Sequence, residues 1–266
     1  MKKKIVALCL CVALAVIAIG GATLAYFTDT QSETNTFTVG NVKIKLIEQE
    51  RDGNGGLKDF EDGKVLMPIV GSAQGPKDAY GMPVAKNYVD KIITVENLAS
   101  DAYVRVYYAI PAALDSTEAK YNIIHYNAGN RFMPKADYVD VTNDTNADHE
   151  ANMGNETYVG TAVIDGVKYC VYYKNYNKIL SKNEVTGSAF MTGVYLDKDL
   201  EFDGTNYTIT RNGKTESIAY DFSKGVKIPV LAAGVQADGF DTADDAFTAA
   251  FGAKYNPWAT TATTGE

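Results

Sequence analysis

The sequence has few of the residues on which catalytic and metal sites are built. It contains two histidines among 266 residues, His125 and His149, and no His-Glu-x-x-His pattern joins them. A zinc enzyme needs several imidazole or carboxylate ligands around one ion, so each lone histidine is interpreted as a surface residue. The glycine-rich nucleotide-binding motifs and the Gly-x-Ser-x-Gly nucleophile motif are also missing. We therefore assign no catalytic residue.

Cysteine is equally scarce. Cys9 and Cys11 lie in an apolar run near the start, and only Cys170 lies in the rest of the chain. A single thiol cannot form an internal disulfide, so the fold must be held by its core. Cys170 lies in a strand-like segment, which favours a buried, unreactive thiol over a nucleophile.

Positive charge is sparse outside the first residues. Residues 1–25 contain three lysines and no acidic residue, and the remainder has 22 basic and 33 acidic residues, a formal charge of −11. Such a surface repels phosphate backbones and anionic lipid headgroups, since both are attracted by Lys and Arg. We expect no nucleic-acid partner, and membrane contact only through an uncleaved N-terminal segment.

The N-terminal segment has the pattern of a secretory signal peptide. Lysines 2–4 precede an uninterrupted apolar run, residues 5–19, and small residues, Thr23 and Ala25, occupy the −3 and −1 positions of a cut after Ala25. Cleavage there would make Tyr26 the new N-terminus. The alternative is an uncleaved membrane anchor, because the run and its shoulder approach the roughly 20 residues that span a bilayer.

The rest of the chain is mainly β. Alternating segments predict an antiparallel β-sandwich over residues 41–256, preceded by an arm or first strand at 26–40 and followed by a flexible tail at 257–266. A polar insertion at about 112–156 is expected to contain a short helix within residues 112–127.

Turn signals divide this β region into strands. Two-residue turns at Asp165-Gly166 and Asn212-Gly213 predict tight hairpins, and the short turn between residues 88–97 and 103–110 predicts that these strands pair. Arg105 alternates with Val104 and Val106, so we expect it on a solvent-facing surface.

The C-terminal end has the signals of a helix. Asp241 or Thr242 can cap residues 243–251, Asp244 and Asp245 lie in the first turn, and Gly252 ends the pattern. An apolar stripe on this helix should dock on the sandwich.

Residues around the predicted cleavage site resemble a known family. The segments Gly20-Gly-Ala-Thr-Leu-Ala-Tyr-Phe-Thr-Asp29, Asn35-Thr-Phe37 and Gly40-Asn-Val-Lys-Ile-Lys-Leu46 are similar to the N-terminus shared by the TasA and camelysin family of secreted bacterial proteins. The resemblance implies processing by a dedicated, SipW-type signal peptidase, release to the cell surface or biofilm matrix, and a jelly-roll β-sandwich.

A glycine-rich acidic loop offers a calcium hypothesis. Asp52, Asn54 and Asp59 present hard oxygen ligands. In an EF-hand pattern that begins at Asp52, however, the sixth position is Leu57 and the twelfth is Gly63, where Gly and Glu are required. A solvated hairpin loop is the alternative, and no cofactor other than calcium is suggested by these residues.

Three functions follow from these observations. The first is a structural protein that associates with itself or with homologous matrix proteins by donating its N-terminal strand, with Tyr26, Phe27, Phe37 and Val39 as donor residues. The second, implied by the resemblance, is a camelysin-like metallopeptidase. The third is a carbohydrate- or surface-binding module that uses exposed tyrosines such as Tyr169 and Tyr172.

Overall fold

The computed structural model describes residues 27–32, 35–54, 56–73, 75, 78, 83–127, 151–203, 206–222 and 225–259. For residues 27–32 and 35–40 it describes the main chain. The predicted signal peptide, residues 1–25, lies outside the described residues, together with Tyr26 and His149.

Six strands form one antiparallel sheet, in the order β2-β1-β14-β6-β9-β8. Its strands are β1 (Phe27–Ser32), β2 (Asn35–Gly40), β6 (Ala102–Pro111), β8 (Thr157–Ile164), β9 (Val167–Leu180) and β14 (Val230–Gln236). The hairpin β1–β2 therefore lies at one edge of this sheet, and β8 lies at the other.

A second antiparallel sheet has five strands, in the order β4-β3-β5-β10-β7. Its strands are β3 (Ile44–Arg51), β4 (Leu57–Asp59), β5 (Val89–Asn97), β7 (Ile124–Asn127) and β10 (Met191–Leu196). A small third sheet contains β11 (Leu200–Phe202), β12 (Tyr207–Arg211) and β13 (Lys214–Ser217). The helix α1 (Ala243–Phe251) follows β14.

The main core lies between the two large sheets. Val106 on β6, Ile93 on β5 and Met191 on β10 are fully buried in one apolar cluster. On β14 the two sheets approach so closely that a Cβ atom on Gly234 would lie 2.9 Å from Val42 Cγ1. The predicted β-sandwich is confirmed, with 47% of the chain in strands and 8% in helices, and a jelly-roll arrangement is compatible with it.

The prediction that residues 88–97 and 103–110 pair with each other is wrong. β5 belongs to the five-stranded sheet and β6 to the six-stranded sheet, so the chain crosses between the layers at residues 98–101. Asn97 shapes this corner, because its buried side-chain amide donates hydrogen bonds to the carbonyls of Ser100 at 2.8 Å and Leu180 at 2.6 Å. These bonds stabilise the crossing between the two sheets, where the sequence pattern predicted a hairpin.

The strand β6 is buried on both faces. Its even-numbered residues face the five-stranded sheet, whereas Tyr103 and Tyr107 on the other face pack against Phe247 of α1. The predicted solvent exposure of Arg105 is therefore wrong, since only 4% of this residue is exposed. The alternation was predicted correctly, but the helix covers the outer face.

The local signals for hairpins and for the C-terminal helix are confirmed. Asp165-Gly166 and Asn212-Gly213 both have positive φ at each residue, as type I′ turns require. The helix spans the predicted residues and is capped by Thr242, whose side chain accepts a hydrogen bond from the main-chain N–H of Asp245.

The helix predicted within residues 112–127 is wrong. A 3₁₀ helix of three residues, Ala112–Leu114, is followed by turns and by β7. The main-chain carbonyl of Asp115 accepts hydrogen bonds from the N–H groups of Glu118 at 3.1 Å and Ala119 at 2.7 Å, so a single turn forms there and does not continue into a helix. Among the described residues, no helix is long and apolar enough to span a membrane.

Candidate functional site

The candidate site is the hairpin β1–β2 together with the strand that it covers. β1 pairs antiparallel with β14 from Thr28 opposite Val235 to Ser32 opposite Leu231. On its other side β1 pairs with β2 along its whole length. The predicted arm thus lies in the sheet of its own chain, at an edge, and the described part of it is attached by main-chain pairing to β14.

The body of the protein begins directly after this hairpin. The carbonyl of Asn41 accepts a hydrogen bond from the Ser100 N–H at 3.0 Å, and the carbonyl of Lys43 accepts one from the Leu98 N–H at 2.7 Å. Between them, Val42 is fully buried in the main core. Gly40, the last residue of β2, therefore marks the boundary between a hairpin at the edge and a firmly packed body.

Three of the four predicted donor residues lie on this hairpin. Phe27 is opposite Gly40, Phe37 is opposite Thr30, and Val39 is opposite Thr28. The fourth, Tyr26, lies outside the described residues. The sequence predicted a free arm. It could not show that this segment pairs with β14, because β14 comes roughly 200 residues later in the chain.

The outer face of the sheet around β14 is covered by α1. Ala233 and Val235 on β14 pack with Ala246 and Phe247 of the helix in a second buried apolar cluster. The hairpin thus covers one edge of β14, and the helix covers one face.

Arg105 links this helix to the sheet. Its Nε donates to Asn175 Oδ1 at 2.7 Å, and its Nη2 donates to Asp244 Oδ1 at 2.8 Å. The guanidinium carbon lies 3.7 Å from the Tyr173 ring centroid and 4.4 Å from that of Phe247. Sequence reasoning missed this cluster, because Arg105 and Asp244 are 139 residues apart and no local pattern joins them.

The N-terminal part of the chain, which contains this hairpin, matches a known protein family. Residues 1–50 match the family described as camelysin metallo-endopeptidase. The match is short. The matched family includes the TasA and camelysin proteins, which are generally secreted or surface proteins. The matched residues include the hairpin β1–β2 and most of β3. No curated protein matches the chain.

The family description raises the question of a metal site. His125 Nε2 lies 3.1 Å from Asp197 Oδ2, but Asp197 also accepts a hydrogen bond from Arg211 at 2.8 Å. The imidazole is stacked on the Tyr195 ring, with centroids 5.3 Å apart. Within the described ranges, no group of three or more His, Cys, Asp or Glu side chains could hold a metal ion. The described residues therefore do not fit a zinc centre.

The calcium hypothesis concerns the loop that joins β3 and β4. Asp52 Oδ1 accepts hydrogen bonds from the main-chain N–H groups of Asn54 at 2.7 Å and Gly56 at 2.8 Å. Asp59 is exposed on β4, opposite Gln49. Oxygen ligation by Asp52, Asn54 and Asp59 stays a prediction, and one of these oxygens already holds the turn together.

The tyrosines named for glycan binding are buried. Tyr169 is 3% exposed and Tyr172 is 7% exposed, and the Tyr172 hydroxyl donates to Asp115 Oδ2 at 2.8 Å. The prediction that they form an exposed adhesive surface is wrong, because Tyr172 faces the core between the sheets and Tyr169 packs against the strand β8 on the outer face. Cys170 is fully buried as expected, and this burial raises the pKa of its thiol to about 12.

Proposed function

We propose that this chain is a secreted structural protein of the cell surface or biofilm matrix, which assembles by donating its N-terminal strand to a neighbouring copy. The observation that supports this function best is the position of residues 27–32 and 35–40 at a sheet edge, where main-chain pairing attaches β1 to β14 and β2 to β1. Main-chain hydrogen bonds can form equally well with another copy of the same sheet, since they do not depend on which chain supplies the strand.

The boundary at Gly40 supports the same proposal. Val42 and Ile44 are fully buried in the body, so the core begins after the hairpin. The match of residues 1–50 to a family of generally secreted or surface proteins supports export. Signal peptidase would then be a partner during export, and removal of residues 1–25 would free Tyr26 and the hairpin that follows it.

The test compares protein that begins at Tyr26 with protein that begins at Phe37, which lacks β1. We expect the longer protein to form fibres or large assemblies in electron microscopy and light scattering, and the shorter one to stay folded and monomeric. A synthetic peptide of residues 26–40 should bind the shorter protein. Equal assembly by both proteins would contradict donation by this strand.

A camelysin-like metallopeptidase is the second candidate, and the printed description of the matching family is the observation that favours it. Mature protein that is stripped of metal and reloaded with zinc should then cleave casein, and His125→Ala or His149→Ala should abolish cleavage. Cleavage that persists in both variants would show that neither histidine is a zinc ligand.

A further inference from the structure

A surface groove lies between the small three-stranded sheet and the sandwich. One wall is the segment that follows β6, the second is the β8–β9 turn with the start of β9, and the third is the end of β13 with residues 218–221. The groove has a volume of about 650 Å³ and is open to solvent, and pockets of this size commonly bind ligands. Its described lining residues all lie outside the hairpin β1–β2.

The charged side chains at this groove largely neutralise one another. Among the described lining residues, three are acidic and two are basic, a formal charge of −1. Lys168 Nζ lies 2.6 Å from Glu118 Oε2, and Lys120 Nζ donates a hydrogen bond to Glu216. Hydrogen bonding to Lys120 lowers the pKa of Glu216 to about 2, so this pair stays charged at neutral pH. The groove therefore offers charged donors and acceptors but little net charge.

Aromatic and aliphatic side chains supply the apolar part of the groove. Ile123 is buried at its base, whereas Tyr121 and Tyr220 are half-buried, so part of each ring lies at the surface. The Tyr220 hydroxyl donates to the Gly225 carbonyl at 3.0 Å, and the Tyr121 ring centroid lies 4.9 Å from Lys120 Nζ. These contacts restrain both rings, so the groove has two aromatic surfaces in place before a ligand binds.

This combination of surfaces favours a neutral, polar ligand. The formal charge of −8 on the whole chain opposes the approach of anions, and a wholly apolar ligand would remove water from charged side chains without replacing its hydrogen bonds. A sugar ring carries C–H groups on its faces, which can pack on tyrosine rings, and hydroxyls around its edge, which both donate and accept hydrogen bonds. Ammonium and carboxylate groups at the groove can bond such hydroxyls while they stay paired.

We propose that this groove binds a neutral saccharide chain, with Tyr121 and Tyr220 packed against sugar rings and the paired charges bonded to sugar hydroxyls. The inference goes beyond the proposed structural function and does not depend on strand donation. A secreted structural protein with such a site would attach to a neutral polysaccharide of the cell surface or matrix. The tyrosines concerned differ from the buried Tyr169 and Tyr172, which the sequence pattern had indicated.

The test titrates protein that begins at Tyr26 with cellohexaose, maltohexaose and chitohexaose, and measures binding by calorimetry. We expect saturable binding of at least one of these oligosaccharides, and a loss of affinity of about tenfold in Tyr121→Ala and in Tyr220→Ala. Tyr121→Phe keeps the ring and should retain most of the affinity. Tyr158→Ala is the matched control, since Tyr158 is 41% exposed and lies outside the groove, and it should bind like the unchanged protein. Circular dichroism melting of each variant checks that it is folded.

Four results would overturn the inference. The first is no saturable binding of any of the three oligosaccharides at millimolar concentration, and the second is binding that is unchanged in both folded alanine variants. The third is tighter binding of the anionic oligosaccharide hexagalacturonate than of the neutral ones, since this would contradict the charge argument. The fourth is binding of an uncharged hexapeptide of serine and threonine, lost in Tyr121→Ala, without saccharide binding, which would make the groove a peptide site. Fibre formation is measured separately, so failure of saccharide binding leaves the test of strand donation unaffected.

Discussion

The strand β14 is covered by the two ends of the chain in different ways. The N-terminal hairpin covers its edge, with main-chain pairing from Thr28 to Ser32. The C-terminal helix covers its outer face, where Phe247 is fully buried and Arg105 binds both sheet and helix. Side-chain packing and hydrogen bonds specific to this sheet hold the helix in place. Main-chain hydrogen bonds at a sheet edge, by contrast, can be made by the same strand of any copy. Under the proposed function, the helix is a permanent part of the body and the hairpin an exchangeable part.

The largest effect is expected from removing the helix anchor. Phe247→Ala leaves a cavity between α1 and the sheet, which should lower the free energy of unfolding by about 3–5 kcal/mol in urea titrations. Phe251→Ala is the control. Because Phe251 is only half-buried, this substitution should lower the free energy of unfolding by less. Equal losses would show that the helix is not anchored at Phe247.

A smaller loss is expected where β14 meets the other sheet. In Gly234→Ala the new Cβ would lie 2.9 Å from Val42 Cγ1 and 3.0 Å from Ile44 Cγ2, and this overpacking should cost about 1–3 kcal/mol. Gly187→Ala is the matched control, since its Cβ would be no closer than 3.5 Å to any neighbour. Thermal melting of both variants measures the difference, and a neutral Gly234→Ala would contradict close sheet packing beside the hairpin.

Alkaline pH should weaken the outer face of the sheet. Burial raises the pKa of Tyr107, and burial raises the pKa of Tyr169 to about 12. A tyrosine with a raised pKa in the folded state stabilises the fold fully below its unfolded pKa of about 10, and this stabilisation is lost as pH rises through the folded value. The free energy of unfolding should therefore fall between about pH 10 and pH 12. Tyr169→Phe should reduce that fall, and an unchanged pH profile would contradict the assignment.

The contribution of Arg105 should be moderate. Arg105→Lys keeps the charge but loses the planar group that bonds Asn175 and stacks on Tyr173, so we expect a loss of about 1–2 kcal/mol. Asp244 is 68% exposed on its side chain, so solvent screens its ion pair with Arg105 and little of the loss comes from that pair. Arg211→Lys, at an arginine whose side chain is 34% exposed against 5% for Arg105, should change stability by less than about 0.5 kcal/mol. Denaturant titration of the two variants tests whether the buried arginine matters more.

The smallest effect on the body is expected from damage to the hairpin. Thr30→Pro removes a main-chain donor in β1, and the free energy of unfolding of the body should change by less than about 1 kcal/mol because the hairpin opens locally. Hydrogen exchange should show faster exchange in residues 27–40 and unchanged protection in β6. Ala233→Pro, in β14, is the contrasting variant and should destabilise the whole sandwich. A large global loss in Thr30→Pro would show that the hairpin is as integral as the helix.

Local features of the fold were predictable because their causes lie within a few residues. The Asp165-Gly166 turn needs two residues that tolerate positive φ, and the helix end at Gly252 and cap at Thr242 depend on neighbouring main-chain groups. The short helix expected within residues 112–127 does not form beyond a single turn after Asp115, and the segment leads into β7. The candidate site was predictable as a segment, residues 26–40, but not as a position in the sheet.

The sequence by itself determined where strands and turns form, which residues alternate between two faces, and that the chain is rich in acidic residues and poor in thiols and histidines. These properties follow from side-chain periodicity and composition, which need no knowledge of distant partners. Only the tertiary structure decided that β5 and β6 lie in different sheets, that α1 buries Arg105, and that β14 receives the N-terminal hairpin. Each of these depends on main-chain pairing or packing between residues far apart in the chain, so no local pattern could specify it.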